Sequence, residues 1–293
     1  MSVKKDRIKV KNRINNKASG LRRKRVDSIR LDIDRIDNRI HKLLIDRASL
    51  VLKVFEAKKS VNNGKLELYR PDREYSVLSR IVFRHKGLFP IKAIVASWSE
   101  FFSGYRSMQG KLNISYLNND EMLVRNHFGM CANYVGFDSC DGAIGSLLKK
   151  KSDVAALPFP NKKNKWFLRL PELKTIKIIG AVPFNITGFP DLLLLSKQNR
   201  EHPVPSVVLI LIKTKKNYFS QISNYLNDNG FVVHQDYKLD EYNSYILSSI
   251  HVKSEENIRK KINTIKNTKK IGFPLLAIIL GGYAFSKKDM NND

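Results

Sequence analysis

The stretch that decides the fold is Ile29–Lys59, which reads IRLDIDRIDNRIHKLLIDRASLVLKVFEAKK. Its apolar residues recur every three or four positions, which is the spacing of one face of an α-helix. Because the stretch contains neither glycine nor proline, it predicts one helix over Ser28–Lys59, about 45 Å long. A helix of this length with one apolar face requires a partner, and we expect a second copy of the chain to supply it.

Two cations lie on the apolar stripe of this helix. Arg47 and Lys58 are eleven residues apart, which corresponds to about 20° of rotation on a helix. Buried cations require a carboxylate or a bound anion. Asp37, the one acid well placed on the stripe, is about 15 Å from Arg47 along the axis. The pattern indicates an anion site, unless both side chains reach water or pair with acids of another helix.

A third cation of the helix, Arg30, lies 28 residues before Lys58, or about 42 Å along the axis. No small ligand contacts both side chains, so a ligand bound by Arg30 occupies a different site. A dimer whose sites are shared between the two chains satisfies this geometry.

Two shorter helices are expected next, from Pro71 to about Lys86 and from Pro90 to about Gln109, because proline is favoured at the first position of a helix. The sequence therefore predicts a three-helix domain over residues 26–111. The preceding residues 1–25 are predicted to be a mostly disordered basic arm.

The rest of the chain alternates short apolar strands with helical patterns. Over residues 112–200 this alternation predicts a small α/β unit with its strands in one sheet. Residues 204–285 follow the order strand, helix, strand, strand, helix, strand, which is the βαββαβ order of ferredoxin-like units. With a tail at residues 286–293, the predicted fold class is multidomain α plus α/β.

The charge of the chain is extreme, with 53 Lys and Arg against 27 Asp and Glu. The cations are spread over the whole length, but residues 1–25 hold eleven of them and a single acid. This arm has no apolar run after its charges, so it does not resemble a secretory signal. A transit peptide and nonspecific contact with RNA are the alternatives that the arm leaves open.

The composition also bounds the compartment. Cys131 and Cys140 form neither a disulfide framework nor a zinc pattern, which fits a reducing compartment. The longest apolar stretch, Ile271–Phe285, has 15 residues, fewer than the about 20 that a membrane-spanning helix needs. It predicts a buried strand instead, and we expect a cytoplasmic protein without a membrane span.

Three segments taken together resemble a known family. Ile29–Lys59, then YRPDREYSVLSRI (Tyr69–Ile81), then a third helix ending in SGYRSMQG (Ser103–Gly110) are similar to the all-helical class of chorismate mutases. The best match is the mutase domain that opens bifunctional chorismate mutase–prephenate dehydratases. The resemblance implies a three-helix mutase domain in an intertwined homodimer that rearranges chorismate to prephenate.

The resemblance also implies roles for single residues. Lys58 and Gln109 match the pair that contacts the ether oxygen of the substrate. Arg47 matches the arginine that binds a substrate carboxylate, and Arg30 matches the arginine that reaches into the partner's site.

On the second helix, Arg73 and Glu74 match an Arg-Glu pair near the other carboxylate and the ring hydroxyl. Two positions depart from the family pattern. Some members have Asp where this chain has Arg70, and some have Ser where it has Tyr105, so the hydroxyl contact and one carboxylate contact are in doubt.

The chemistry of this family explains why such residues suffice without a cofactor or a metal ion. Chorismate is a dianion whose unimolecular rearrangement requires a compact conformer and hydrogen-bond donors where negative charge grows on the ether oxygen. Arginine suits the carboxylates because its planar guanidinium matches them.

In this family the mutase is followed by a prephenate dehydratase region and an ACT-like regulatory domain. Residues 112–285 resemble these regions in the order of their segments but lack the expected catalytic motifs. The glycine-rich turn expected after the first strand reads Asn118–Glu121, the expected Glu-Asn-Ser reads Phe159–Lys162, and Thr-Arg-Phe occurs nowhere in the chain. We therefore expect mutase activity without dehydratase activity. The alternatives are a noncatalytic binding or regulatory protein on the mutase fold, a basic RNA-associated protein, a retained bifunctional enzyme, and an isochorismate lyase side activity.

Overall fold

A computed structural model gives two compact units, residues 1–65 and residues 66–293. The structure describes residues 2–61, 67–184, 189–197, 206–238, 243–252, 254–266 and 275–284, with side chains of the first segment from Arg25 to Lys59. The predicted tail at residues 286–293 lies outside the described residues.

The described residues of the first unit form one helix, α1 (Ser2–Val61). This confirms the helix predicted over Ser28–Lys59 but moves its start to Ser2, so the backbone of the segment predicted to be disordered is helical. Lys and Arg are good helix formers, and residues 2–25 contain no proline. The prediction missed this part because it relied on apolar periodicity, which a basic segment does not have.

Large apolar side chains of α1 remain exposed to solvent in this single chain. Six of them, Ile33, Ile36, Ile40, Leu43, Leu50 and Val54, have exposed fractions between 48% and 64%. A soluble chain rarely leaves a contiguous apolar stripe in water, so this face is a candidate contact surface.

The second unit contains all other described helices and strands. Its helices are α2 (Pro71–Arg84), α3 (Ile91–Ser107), α4 (Glu121–Phe128), α5 (Cys140–Leu148), α6 (Phe219–Asp228) and α7 (Glu255–Lys266). Its strands are β1 (Asn113–Leu117), β2 (Asn133–Phe137), β3 (Val154–Pro158), β4 (Lys177–Val182), β5 (Leu192–Ser196), β6 (Ser206–Lys215), β7 (Phe231–Lys238), β8 (Asn243–Val252) and β9 (Leu275–Ala284). None of the described helices has the length and hydropathy to cross a membrane.

The nine described strands form one sheet in the order β2-β1-β3-β5-β4-β9-β6-β8-β7. Strands β1, β2 and β3 are parallel, whereas β5 runs antiparallel to its neighbours β3 and β4. Strands β6–β9 pair antiparallel among themselves. The sequence predicts two separate sheet units, and the structure joins their strands into one sheet between β4 and β9.

Alternation of apolar side chains builds a core on both faces of this sheet. Leu193 and Leu195 of β5 pack with Trp166 and Phe167 in one cluster, while Leu192 and Leu194 belong to a second cluster on the other face. Successive side chains of a strand point to opposite faces, so a run of leucines is the expected sequence of a strand buried on both sides.

Helices α2 and α3 belong to the same compact unit as the sheet. Tyr69, just before α2, is 2% exposed and packs in the cluster that contains Ile114 and Phe128. Pro71 is the first residue of α2, and a methyl group on Gly180 of β4 would lie 3.5 Å from its Cβ. The start of α2 is therefore held against the sheet.

A single glycine makes the junction between β4 and β9 possible. Gly281 pairs with Ile178 and has a φ of +122°, a conformation that residues with a side chain rarely adopt. A Cβ at this position would lie 2.1 Å from the carbonyl oxygen of Ile178 and 2.6 Å from its nitrogen. Only glycine lets the two backbones approach this closely.

We predict that Gly281→Ala lowers the free energy of unfolding by about 2–4 kcal/mol, because strained backbone and a backbone clash add up. The control is Gly145→Ala in α5, where a Cβ would meet nothing within 4 Å. This substitution should raise the free energy of unfolding by about 0.5–1 kcal/mol, because alanine is favoured over glycine inside a helix. Urea unfolding of both variants measures the difference. Equal midpoints would show that the junction tolerates a side chain.

Candidate active site

The predicted site residues divide between the two compact units. Arg30, Arg47 and Lys58 belong to α1, whereas the others belong to the second unit. Because α1 is unbroken, the separations expected for an ideal helix apply to its three cations. Arg47 and Lys58 are partly buried. Arg30 is exposed, and its Nη1 lies 3.5 Å from a carboxylate oxygen of Asp27, one turn earlier.

The start of α2 positions Arg70, Arg73 and Glu74. Arg70 is the residue that caps the helix, and its carbonyl oxygen accepts hydrogen bonds from the amides of Arg73 at 3.1 Å and Glu74 at 3.0 Å. The two neighbouring side chains then have different environments, since Arg73 is exposed while Glu74 is partly buried.

The partner of Glu74 is Arg106 of α3, a residue that the sequence analysis did not single out. Arg106 donates from Nη1 to the Glu74 carboxylate and from Nη2 to the carbonyl oxygen of Phe128, the latter at 2.7 Å. The guanidinium carbon lies 5.7 Å from the ring centre of Tyr69 and 5.9 Å from that of Phe128. Arg106 is 6% exposed, so this is a buried ion pair between aromatic rings.

Tyr105 lies in the last turn of α3, and Gln109 follows two residues after the helix ends. Tyr105 is buried, and its carbonyl oxygen accepts a hydrogen bond from Nε2 of Gln109 at 3.4 Å. The backbone amides of Gln109 and Gly110 both donate to the carbonyl oxygen of Arg106, at 2.9 and 3.1 Å. Arg106 thus contacts Glu74 through its side chain and Gln109 through its backbone.

A second buried polar pair adjoins this cluster. The hydroxyl of Tyr69 lies 3.1 Å from Nε2 of His127 in α4. Burial and the Arg106 guanidinium lower the pKa of His127 to about 3, so its imidazole stays neutral beside that cation. Burial and the Glu74 carboxylate raise the pKa of Tyr69, so the phenol also stays neutral.

A cavity of about 40 Å³ lies beside these residues, between helices α2–α4 and strand β4. Its polar lining includes Tyr69, Glu74 and His127, and its apolar lining includes Leu78 and Phe102. A water molecule needs about 10–15 Å³ measured in this way, so the cavity has room for a few waters.

The sequence contains one signal from which Arg106 could have been found. Phe102 and Arg106 are four residues apart, so they share a face of α3, and Phe102 is buried. A cation on an apolar helix face needs a partner. The criterion that singles out Arg47 and Lys58 on α1 therefore also singles out Arg106 on α3.

The neutral His127 predicts a pH dependence of stability. In the unfolded chain its pKa is 6.5 and in the folded chain about 3, so the unfolded state binds more protons between these values and stability falls as the pH drops below 6.5. We expect wild type to lose about 1–2 kcal/mol more than His127→Asn between about pH 7 and about pH 5.

Asparagine retains a hydrogen-bonding group for Tyr69 but does not titrate. Urea unfolding at several pH values measures the effect, and His85→Asn, outside this cluster, is the control that should follow wild type. Parallel pH profiles for wild type and His127→Asn would contradict a buried neutral imidazole.

Comparison with known proteins identifies the helical segment. Residues 29–110 match the family described as "Chorismate mutase type II". A bifunctional chorismate mutase/prephenate dehydratase of Aquifex aeolicus (strain VF5) is 28% identical over 141 residues, 45% of this chain and 38% of the relative. The corresponding protein of Neisseria gonorrhoeae is 29% identical over 133 residues, 44% of this chain and 35% of the relative.

The chain therefore spans less than half the length of these curated relatives that it matches. Among solved structures, the prephenate dehydratase from Streptococcus mutans aligns with a TM-score of 0.45 and 14% identity, covering 60% of this chain and 98% of that one. The cations of α1 and the ends of α2 and α3 all lie within the matched segment. Residues 29–110 of this chain thus match the type II chorismate mutase family, at the N-terminal side of the chain.

Proposed function

We propose that this chain is a chorismate mutase that converts chorismate to prephenate by electrostatic stabilisation of the transition state. The observation that carries the proposal is the placement of Arg47 and Lys58 on one face of an unbroken helix, within the segment that matches the mutase family. Two partly buried cations on one face attract a small dianion, and chorismate is a dianion.

The catalytic step is assigned to Lys58 and Gln109. As the C–O bond of chorismate breaks, negative charge develops on the ether oxygen. A donor held in place at that oxygen stabilises the transition state more than the bound substrate. An ammonium and an amide are both donors, and neither needs to transfer a proton in this reaction.

Binding and orientation are assigned to arginines and to one carboxylate. Arg47 and Arg73 bind the two carboxylates, and Arg30 reaches the site of a second copy. The side chain of Arg70 has donors only and cannot accept from the ring hydroxyl, so the proposal assigns that contact to Glu74. Tyr105 is buried at the end of α3 and is assigned to packing instead of a carboxylate contact.

The proposed assembly is a homodimer in which the α1 helices of two copies cover each other. The exposed apolar residues of α1 support this, since they form a long stripe that one chain leaves in water. Arg30 lies about 42 Å from Lys58 along the axis, which fits sites shared between two chains.

We further propose that the second unit has no dehydratase activity. In the structure, the position after β1 holds a short turn, Asn118–Asp120, followed directly by α4. The expected catalytic segments are absent from the sequence. Strands β6–β9 with α6 and α7 run βαββαβ with the strand order β9-β6-β8-β7, which supports a ferredoxin-like, ACT-like assignment.

Lys58→Ala and Gln109→Ala should each lower kcat about 100- to 1000-fold, the loss typical of one donor to a developing oxyanion. Lys53→Ala is the matched control, because it removes the same charge from an exposed position on the same helix. Chorismate consumption measures all three. If Lys53→Ala and Lys58→Ala lower kcat by the same small factor, Lys58 is excluded as the donor.

Shared sites predict complementation between two inactive variants. In a hybrid of Arg30→Ala and Arg47→Ala chains, one of the two sites has both arginines, so a random mixture should regain about a quarter of wild-type activity. The two variants are denatured together, refolded and assayed for chorismate consumption. No recovery, with hybrids demonstrated by a size tag on one variant, would contradict shared sites.

A further inference from the structure

Given the mutase function proposed above, we infer that Arg106 is a positioning residue of the active site, which holds Glu74 in place for the ring hydroxyl of chorismate. Arg106 does not contact the substrate in this arrangement. It acts through Glu74, and its own orientation is set by residues of the sheet-bearing unit.

The guanidinium of Arg106 is fixed from several directions. Nη1 donates to Glu74, Nη2 donates to the carbonyl oxygen of Phe128 at 2.7 Å, and the rings of Tyr69 and Phe128 lie within 6 Å of its carbon. Hydrogen bonds to two partners in a rigid fork define both the position and the plane of the group. Glu74 is therefore paired with a donor that has little freedom to move.

The carboxylate of Glu74 has capacity for a second partner. Arg106 contacts the Oε1 atom, and a carboxylate offers two oxygens with about four acceptor sites in all. The side chain of Glu74 is 18% exposed, whereas that of Arg106 is 7% exposed. The pair is thus closed on the arginine side and accessible on the glutamate side, as required for a hydroxyl to reach Glu74.

The substitution at position 70 makes this positioning more important. A member with Asp there has two acidic groups near the hydroxyl, whereas the side chain of Arg70 cannot accept a hydrogen bond. The geometry of one carboxylate then decides the contact. The backbone carbonyl oxygen of Arg106 also accepts a hydrogen bond from the backbone amide of Gln109. Arg106 therefore contacts two of the proposed site residues.

A double-mutant cycle on activity separates positioning from a purely structural role. The variants are Glu74→Gln, Arg106→Gln, the double variant and Arg106→Lys, each compared by thermal unfolding and by kcat and KM for chorismate. Arg125→Gln is the matched control, since Arg125 forms an exposed ion pair with Glu121 in the same unit.

We expect Arg106→Gln to lower kcat about 10- to 100-fold, as small misplacements of a contact group do, with a smaller change in KM. In the Glu74→Gln background the same substitution should cost no further activity, because the group on which it acts is already lost. Arg106→Lys should recover part of kcat, and Arg125→Gln should match wild type.

If the loss of kcat in the double variant equals the product of the losses in the two single variants, the positioning role is overturned. It is also overturned if Arg106→Gln lowers thermal stability without lowering kcat. Neither result affects the proposed mutase function. If Arg106→Gln does not fold, Arg106→Lys and the double variant decide, since the double variant leaves no unpaired buried charge. A double variant with Glu74→Gln activity supports the inference, and a less active one overturns it. An inactive wild type would refute the proposed function itself.

Discussion

A buried guanidinium requires a charged partner, and in this chain that requirement ties three helices together. Arg106 of α3 pairs with Glu74 of α2 and donates to the carbonyl oxygen at the end of α4. Breaking such a pair leaves an uncompensated buried charge, which costs about 3–5 kcal/mol. The ends of α2 and α3, where the proposed site residues lie, therefore take their geometry from the same unit that carries the sheet.

Local pattern predicted most elements, and long-range pairing explains what it missed. The apolar period of Ile29–Lys59 predicted α1, and runs such as Leu192–Leu195 predicted strands, because both depend on neighbours in sequence. The close approach of Gly281 to Ile178 and the pairing of Glu74 with Arg106 join residues far apart in the chain. The spacing of apolar residues along the sequence carries no information on such long-range contacts. The single sheet and the Glu74–Arg106 pair are therefore seen only in the structure.

The proposed site shows how little chemistry a unimolecular rearrangement demands of a protein. It requires fixed cations for two carboxylates and donors at one oxygen, with no nucleophile and no proton relay. We propose that Lys58 and Gln109 supply the donors and that Arg47 and Arg73 supply the cations, whereas residues 112–285 lack the sequence segments that we expect of a dehydratase.

The most direct test of the mutase assignment is the product that the wild-type chain forms from chorismate alone. Loss of chorismate is followed by ultraviolet absorbance, and phenylpyruvate is assayed with and without acid, which converts prephenate to phenylpyruvate. We predict chorismate loss, with phenylpyruvate appearing only after acid. Chorismate that stays intact would contradict the mutase function, and phenylpyruvate formed without acid would contradict the loss of dehydratase activity.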